Sequence, residues 1–148
     1  MVKKRNKFFH KVVVMDASVL IKPFLMEEGY EQINELIAMH LDHELTILAT
    51  PLLVFEFLNV ISRAVEKDKV KSAYLEFKGL GIGIIKPDDK FVYNAIEKVS
   101  SNHKISYYDA SYHALAKDMD GVFLTADKKY YELMKKEGNV ELIPEGKC

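Results

Sequence analysis

A chain of 148 residues carries 21 Lys and Arg against 22 Asp and Glu, for a formal net charge of -1, and 49% of it is hydrophobic. That length suits one domain rather than two, and that apolar content excludes a disordered chain. The near balance of charge supplies no global attraction to nucleic acid, so any such function must come from local arrangement.

Residues 1–10 read as a basic extension (Lys3, Lys4, Arg5, Lys7) without the apolar stretch and small-residue cleavage site of a signal peptide. Residues 11–148 read as a single domain, with no repeat and no Gly/Ser-rich or Pro-rich linker. KVVVM at 11–15 is β-branched and flanked by polar residues, which predicts a buried strand. A short helix is expected over 18–25, limited by Pro23, and a second over 31–41, where Ile33, Leu36, Ile37 and Leu41 recur at helical spacing. LTILA at 45–49 is the next strand. Thr50 followed by Pro51 predicts a helix start, a hydroxyl cap and then proline in the first position. That helix is expected to reach about residue 67, and another to cover 69–77.

The glycines at 79, 81 and 83 break the chain before a third strand at 82–85, and Pro87-Asp88 opens a helix towards residue 101. A helix over 106–117, a strand at 122–124, a helix over 127–136 and a strand at 140–143 complete the chain. Short apolar strands separated by helices are the pattern of a parallel sheet covered on both faces. The expected fold is therefore α/β, a single three-layer α/β/α domain with a mainly parallel central sheet. No apolar run approaches the roughly 18 residues of a transmembrane helix. The one cysteine, Cys148, has no internal partner for a disulfide, so a reducing, cytoplasmic setting is expected.

In this architecture ligands collect beyond the carboxyl ends of the strands, and four acids stand in positions that lead there. Asp16 ends the first strand within VVVMDASVLI, where Ser18 is the only other polar residue. In PLLVFEFLNVI the polar side chains are Glu56 and Asn59, three apart and so on one helix face. Asp109 lies in ISYYDASYHALA, and Asp127 follows the strand VFL in LTADKKYYEL. Each has a plain structural reading as well. Asp16 and Asp127 suit helix caps, Ser106-x-x-Asp109 fits a capping box, and Glu56 suits a buried ion pair. Together they weigh differently. Two carboxylates about 5 Å apart repel by roughly 3 kcal/mol at an effective dielectric of about 20, so four on one rim demand cations. Hard oxygen ligands point to Mg²⁺ or Mn²⁺, and no Cys or His spacing suits zinc. Such a cluster suggests phosphoryl chemistry.

These stretches resemble the four motifs of the PIN-domain family, especially its VapC-type toxin ribonucleases. VVVMDASVLI resembles its strand-one signature ending in Asp-x-Ser/Thr, TPLLVFEFLNVISR its helix with Glu and Asn three residues later, ISYYDASYHALAK its third motif and FLTADKKYYEL its Thr-x-Asp strand end. The match spans nearly the whole chain, in order. The resemblance implies a metal-dependent endoribonuclease in which Asp16, Glu56, Asp109 and Asp127 hold Mg²⁺ or Mn²⁺. It implies that Ser18 and Thr125 hydrogen-bond the ligands or a coordinated water, and that Asn59 orients Glu56 or the substrate. It further implies a homodimer and, for a toxin, an antitoxin peptide over the site. The chain departs from the family in its N-terminal extension and in having only Arg5 and Arg63 as arginines, which leaves RNA contacts to lysines.

Among the remaining features, KKRNK at 3–7 and the pair Lys128 and Lys129 beside Asp127 are candidates for phosphate contact, against a reading as solvated surface. His113, one turn after Asp109, is expected to pack in the interior rather than bind metal, and no metal site is expected at His40 and His43. Tyr107, Tyr108, Tyr112, Tyr130 and Tyr131 are expected mostly in the core, with one or two near the acids able to stack on bases. A phosphoacceptor receiver is excluded because the third strand ends Ile85-Lys86-Pro87 without an acid, and an aspartate-nucleophile phosphatase because Ser18 stands where a second Asp is needed. A non-catalytic PIN-like RNA- or protein-binding module, and an RNA-processing nuclease that is not a toxin, remain as alternatives.

Overall fold

The computed structural model describes residues 12–143. The basic extension, its KKRNK arm and Cys148 lie outside the described residues. Five strands form one parallel sheet: β1 (Val12–Met15), β2 (Thr46–Ala49), β3 (Gly83–Ile84), β4 (Val122–Thr125) and β5 (Val140–Leu142), in the order β3-β2-β1-β4-β5. Between them run α1 (Ala17–Leu20), α2 (Lys22–Leu25), α3 (Tyr30–Leu41), α4 (Leu52–Ala64), α5 (Val70–Gly79), α6 (Asp89–Ser101), α7 (Tyr107–Asp118) and α8 (Lys128–Met134). Short 3₁₀ turns at Lys67–Lys69 and Lys135–Glu137 join α4 to α5 and follow α8. Among the described residues, no helix is long and apolar enough to cross a membrane.

Right-handed crossovers put α3, α4 and α5 on one face of the sheet and α6, α7 and α8 on the other, so the three layers expected from the sequence are present. The first face is filled by Phe57 of α4, stacked on Phe77 at 4.2 Å between ring centroids and met edge-on by Phe24 at 5.0 Å. On the second face Phe123 of β4 contacts Tyr112 and Tyr130. The three core strands are almost wholly buried, which is why they read as continuous apolar runs rather than as alternation.

Several boundaries differ from the sequence expectation. The helix expected over 18–25 divides at Ile21, and Pro23 falls in the first turn of α2 instead of ending a helix. A proline has no N–H to continue the α1 ladder but fits an opening turn. Thr50 does not cap α4: its side chain makes no well-formed hydrogen bond among the described residues, and Pro51 occupies the cap position. The helix ends at Ala64, because Val65 turns to extended backbone (φ -122°, ψ 163°). The third strand shrinks to two residues, although the Ile85 N–H still reaches the Ala49 carbonyl at 2.9 Å.

His40 ties this side together in a structural role. The Ile47 N–H donates to its Nδ1 at 3.0 Å, which leaves Nε2–H to donate to the carbonyls of Leu80 and Gly81. The loop before β3 is thereby fastened to α3 and β2.

Gly121 marks the closest approach of two backbones. A Cβ built there would stand 2.5 Å from the Val12 carbonyl oxygen and 2.9 Å from the Val12 side chain. Backbone oxygen inside the sheet has no room to yield, so Gly121→Ala is expected to cost about 2–3 kcal/mol. At about 2–4 °C per kcal/mol in a chain of this size, the melting temperature should fall by roughly 5–10 °C. An unchanged melting curve would show that β1 and β4 can separate freely.

Candidate active site

The chain leaves β1 for β2 on one side and returns through β3 to place β4 on the other side of β1. The carboxyl ends of β1 and β4 therefore bound the crevice where strand order reverses, the place open α/β sheets reserve for ligands. Met15 pairs with Leu124, so the residues that follow these two strands emerge side by side.

Asp16 is the first residue past β1 and caps α1. Its Oδ1 accepts from the Ser18 hydroxyl at 2.6 Å and from the Val19 N–H at 3.2 Å. It is only 7% exposed. Asp127, past β4, caps α8: its Oδ1 accepts from the Tyr130 N–H at 3.0 Å, while its own N–H donates to Thr125 Oγ1 at 3.0 Å. Asp109 lies in the first turn of α7. The Ser106 hydroxyl accepts from its N–H and donates to its Oδ2, both at 3.2 Å, a variant of the capping box. Glu56 comes one turn deeper into α4 than a first-turn position, and it is half-buried.

The structural readings of three acids are thus correct as far as they go. Yet each cap occupies one carboxylate oxygen: among the described residues nothing hydrogen-bonds Asp16 Oδ2, Asp127 Oδ2 or Asp109 Oδ1. None of the four acids forms an ion pair among the described residues either.

Electrostatics shows how the four are grouped. Burial, opposed by Ser18 and reinforced by the charge of Asp109, pushes Asp16 up to about 6. Burial and then the charges of Asp16 and Asp109 push Glu56 up to about 7. Asp109 is also raised, by burial and, against the Ser106 hydrogen bond, by Asp127. Asp16, Glu56 and Asp109 therefore form the inner group, and Asp127 joins it at an exposed outer edge through Asp109. Beneath them the Tyr112 phenol, raised by burial and then by Glu56, also feels the charges of Asp16 and Asp109. Its hydroxyl and that of Thr50 are buried and make no well-formed hydrogen bond among the described residues.

The donor set suits a hard divalent cation. It offers carboxylate oxygens with free lone pairs, two buried hydroxyls whose contacts to each other and to Glu56 fall short of well-formed hydrogen bonds, and no lysine or arginine to neutralise the charge. Among the described residues, no three His, Cys, Asp or Glu side chains are gathered tightly enough to cage an ion as they stand.

Other expectations fare unevenly. Asn59 lines the same groove as Glu56 but makes no side-chain hydrogen bond to it among the described residues. Lys128 and Lys129 are exposed beside Asp127. His113 is wholly buried, with Nδ1 2.7 Å from the Tyr130 hydroxyl and Nε2 2.8 Å from the Gly138 carbonyl. The carbonyl must accept, so Nε2 carries the proton and the tyrosine donates to Nδ1. Burial, against the Gly138 hydrogen bond, lowers its pKa to about 4, and the ring serves to tie α7 to α8 and the turn before β5.

Tyr112 and Tyr130 are core residues as expected, but Tyr107 and Tyr108 are exposed, because they open α7 before it packs against β1 and β4. Two further features escape a reading of the sequence, the paired hydroxyls of Thr50 and Tyr112 and the exposed ring of Phe55. The second has a signal. Leu53, Phe57 and Ile61 trace the buried face of α4, and Phe55 falls off that line. A separate groove of about 650 Å³ between α2, α3, α4 and α5 holds none of the four acids.

Comparison with known proteins identifies the fold and the family. Sequence comparison with curated proteins gives no match. Among solved structures, the chain is similar to VapBC2 from Rickettsia felis bound to a DNA fragment from their promoter, with a TM-score of 0.64 and 16% identity over 88% of this chain and 96% of that one. It is similar to FitAcB from Neisseria gonorrhoeae, with a TM-score of 0.64 and 17% identity over 89% and 96%. It also resembles Mycobacterium tuberculosis VapC20, described as a Sarcin-Ricin loop cleaving toxin, with a TM-score of 0.59 and 12% identity over 89% and 99%. At these identities the likeness is one of fold. The family model of the PIN domain matches residues 13–136, most of the chain, and on that match the protein belongs to the PIN domain family.

Proposed function

We propose that the protein is a Mg²⁺- or Mn²⁺-dependent endoribonuclease that hydrolyses RNA phosphodiester bonds, a VapC-type toxin that works in the cytoplasm as a homodimer and is held in check by an antitoxin protein. The observation that carries this reading is the inner group of Asp16, Glu56 and Asp109 at the sheet's switch point, each raised first by burial, with Asp109 adding to Asp16 and both adding to Glu56, and no cationic side chain in their midst. The toxin assignment draws further support from the VapBC and FitAcB structures among those of similar fold.

Asp16, Glu56, Asp109 and Asp127 would hold the ion. Once bound, it supplies positive charge at the phosphate and an acidified water for in-line displacement. The rest falls to the chain itself. Ser18 and the Val19 amide fix the rotamer of Asp16, and Ser106 fixes that of Asp109, leaving one oxygen of each free. Burial, and then the charges of Asp16 and Asp109, push Glu56 up to about 7, so near neutrality it is only partly ionised. Lys128 and Lys129 would meet the RNA backbone beside Asp127 as point charges.

The test is cleavage of one structured and one single-stranded RNA in Mn²⁺, Mg²⁺ or EDTA. Cutting is expected in at least one metal and should vanish in EDTA. No cutting, with no rise in melting temperature on adding Mn²⁺, would favour a non-catalytic binding module. Cutting that survives EDTA would sink the metal site.

A further inference from the structure

One face of the acidic site does not belong to the carboxylates. Phe55 of α4 is 74% exposed and Tyr108 of α7 is 62% exposed, the one a residue before Glu56 and the other a residue before Asp109. With Leu52, Glu56 and Asn59 they line an open groove of about 660 Å³. Large aromatics left in water on two separate elements, around one groove, mark a binding surface rather than incomplete packing.

The lining decides what that groove accepts. It holds no lysine or arginine, and its one carboxyl group is that of Glu56, so nothing in the lining attracts phosphate. Two aromatic side chains offer faces on which a flat ring can stack, and the Asn59 amide offers both a donor and an acceptor for the edge of that ring. The groove shares Glu56 with the acidic group, so a ring seated there lies next to the phosphate being cut. From this juxtaposition we propose that Phe55, Tyr108 and Asn59 form a nucleobase pocket that takes one unstacked base of the RNA beside the scissile bond. The inference rests on the endoribonuclease reading and narrows it. A base held in a duplex has its face covered and its edge paired, so the substrate is unpaired RNA, a loop or a single strand.

The experiment uses a short single-stranded RNA containing a mapped cut, together with versions made abasic at the nucleotide on either side of it. Phe55→Ala and Tyr108→Ala should each raise KM about tenfold with little change in kcat, as expected for loss of a stacking partner. Phe55→Trp should restore it. One abasic substrate should cost the wild type a similar factor, yet cost Phe55→Ala nothing further, because ring and base act as a pair. Equal abasic penalties in wild type and variant would overturn the pocket while leaving the nuclease standing.

A Phe55→Ala protein of altered oligomeric state but unchanged KM would overturn it too, by showing that the ring faces a second copy. Binding to the same fluorescein-labelled RNA separates the two readings. A wild type that binds but never cuts, with binding weakened about tenfold in Phe55→Ala, would retain the pocket and sink the nuclease. A wild type that neither binds nor cuts would sink both.

Discussion

Asp16→Asn and Asp109→Asn are each expected to lower metal-dependent RNA cleavage by at least about 10³-fold, equivalent to about 4 kcal/mol at the transition state. The substitution is chosen so that the fold survives. Asparagine is as good a helix cap as aspartate, and its oxygen can still accept from Ser18 and Val19, or from Ser106 in the case of Asp109. What it removes is the charge. A cation held by three or four carboxylates loses both affinity and position when one is neutralised, and geometry at the phosphate is lost with it. The measurement is the initial cleavage rate at saturating Mn²⁺, with circular dichroism to confirm folding. If either variant cuts at the wild-type rate, that acid lies outside the catalytic machinery.

The same substitution should have the opposite effect on stability. Asp16 is raised from 3.8 to about 6, chiefly by burial, and Glu56 from 4.5 to about 7, by burial and then by Asp16. An acid whose pKa is higher in the folded state binds more protons there, so its contribution to stability is fully present below about pH 4 and is lost as pH rises towards 7. For Asp16 the difference amounts to about 3 kcal/mol. Without metal, wild type should therefore lose melting temperature between pH 4.5 and pH 7.5, and Asp16→Asn should lose less, since burial still raises Glu56. At pH 7.5 the variant should melt roughly 5–10 °C higher than wild type, and at pH 4.5 the gap should shrink to about a third of that. Adding Mn²⁺ at pH 7.5 should raise wild type towards the variant and leave the variant almost unmoved. Parallel curves for the two proteins across that range would show that Asp16 is not held in a repulsive, buried setting.

Most of the fold is legible in the sequence because each strand is a short apolar run between helical patterns, and burial on both faces writes itself into composition as KVVVM, LTILA and VFL. Where expectation fails, the cause is local competition. Pro23 can end one helix or begin another, and only the packing of α2 against α3 and the rest of that layer decides. Thr50 beside Pro51 carries every mark of a cap, but its hydroxyl is buried beside Tyr112 instead. The acids at 16, 56, 109 and 127 stand out because carboxylates in apolar company demand an explanation. Their grouping is not readable residue by residue, since an order of β3-β2-β1-β4-β5 is a property of the whole chain. Tyr108 departs from expectation for a related reason. Aromatic residues look alike in sequence whether they fill a core or wait for a ligand, and only the course of α7 separates Tyr108 outside from Tyr112 within.

The strand at the middle of the sheet is the first of the five to be synthesised, and one of its two partners is the fourth. Val13 can pair with Ile47 early in translation, but its pairing with Val122 on the other side waits until the later half of the fold has left the ribosome. Closing so long a loop is slow, and Asp127, which follows β4, reaches Asp16 only when it is done. A nascent chain therefore carries an incomplete set of the four carboxylates, and they become one site only when the sheet is nearly complete. If the proposed cleavage of RNA is this protein's activity, that ordering would spare the message and the ribosome that are making it.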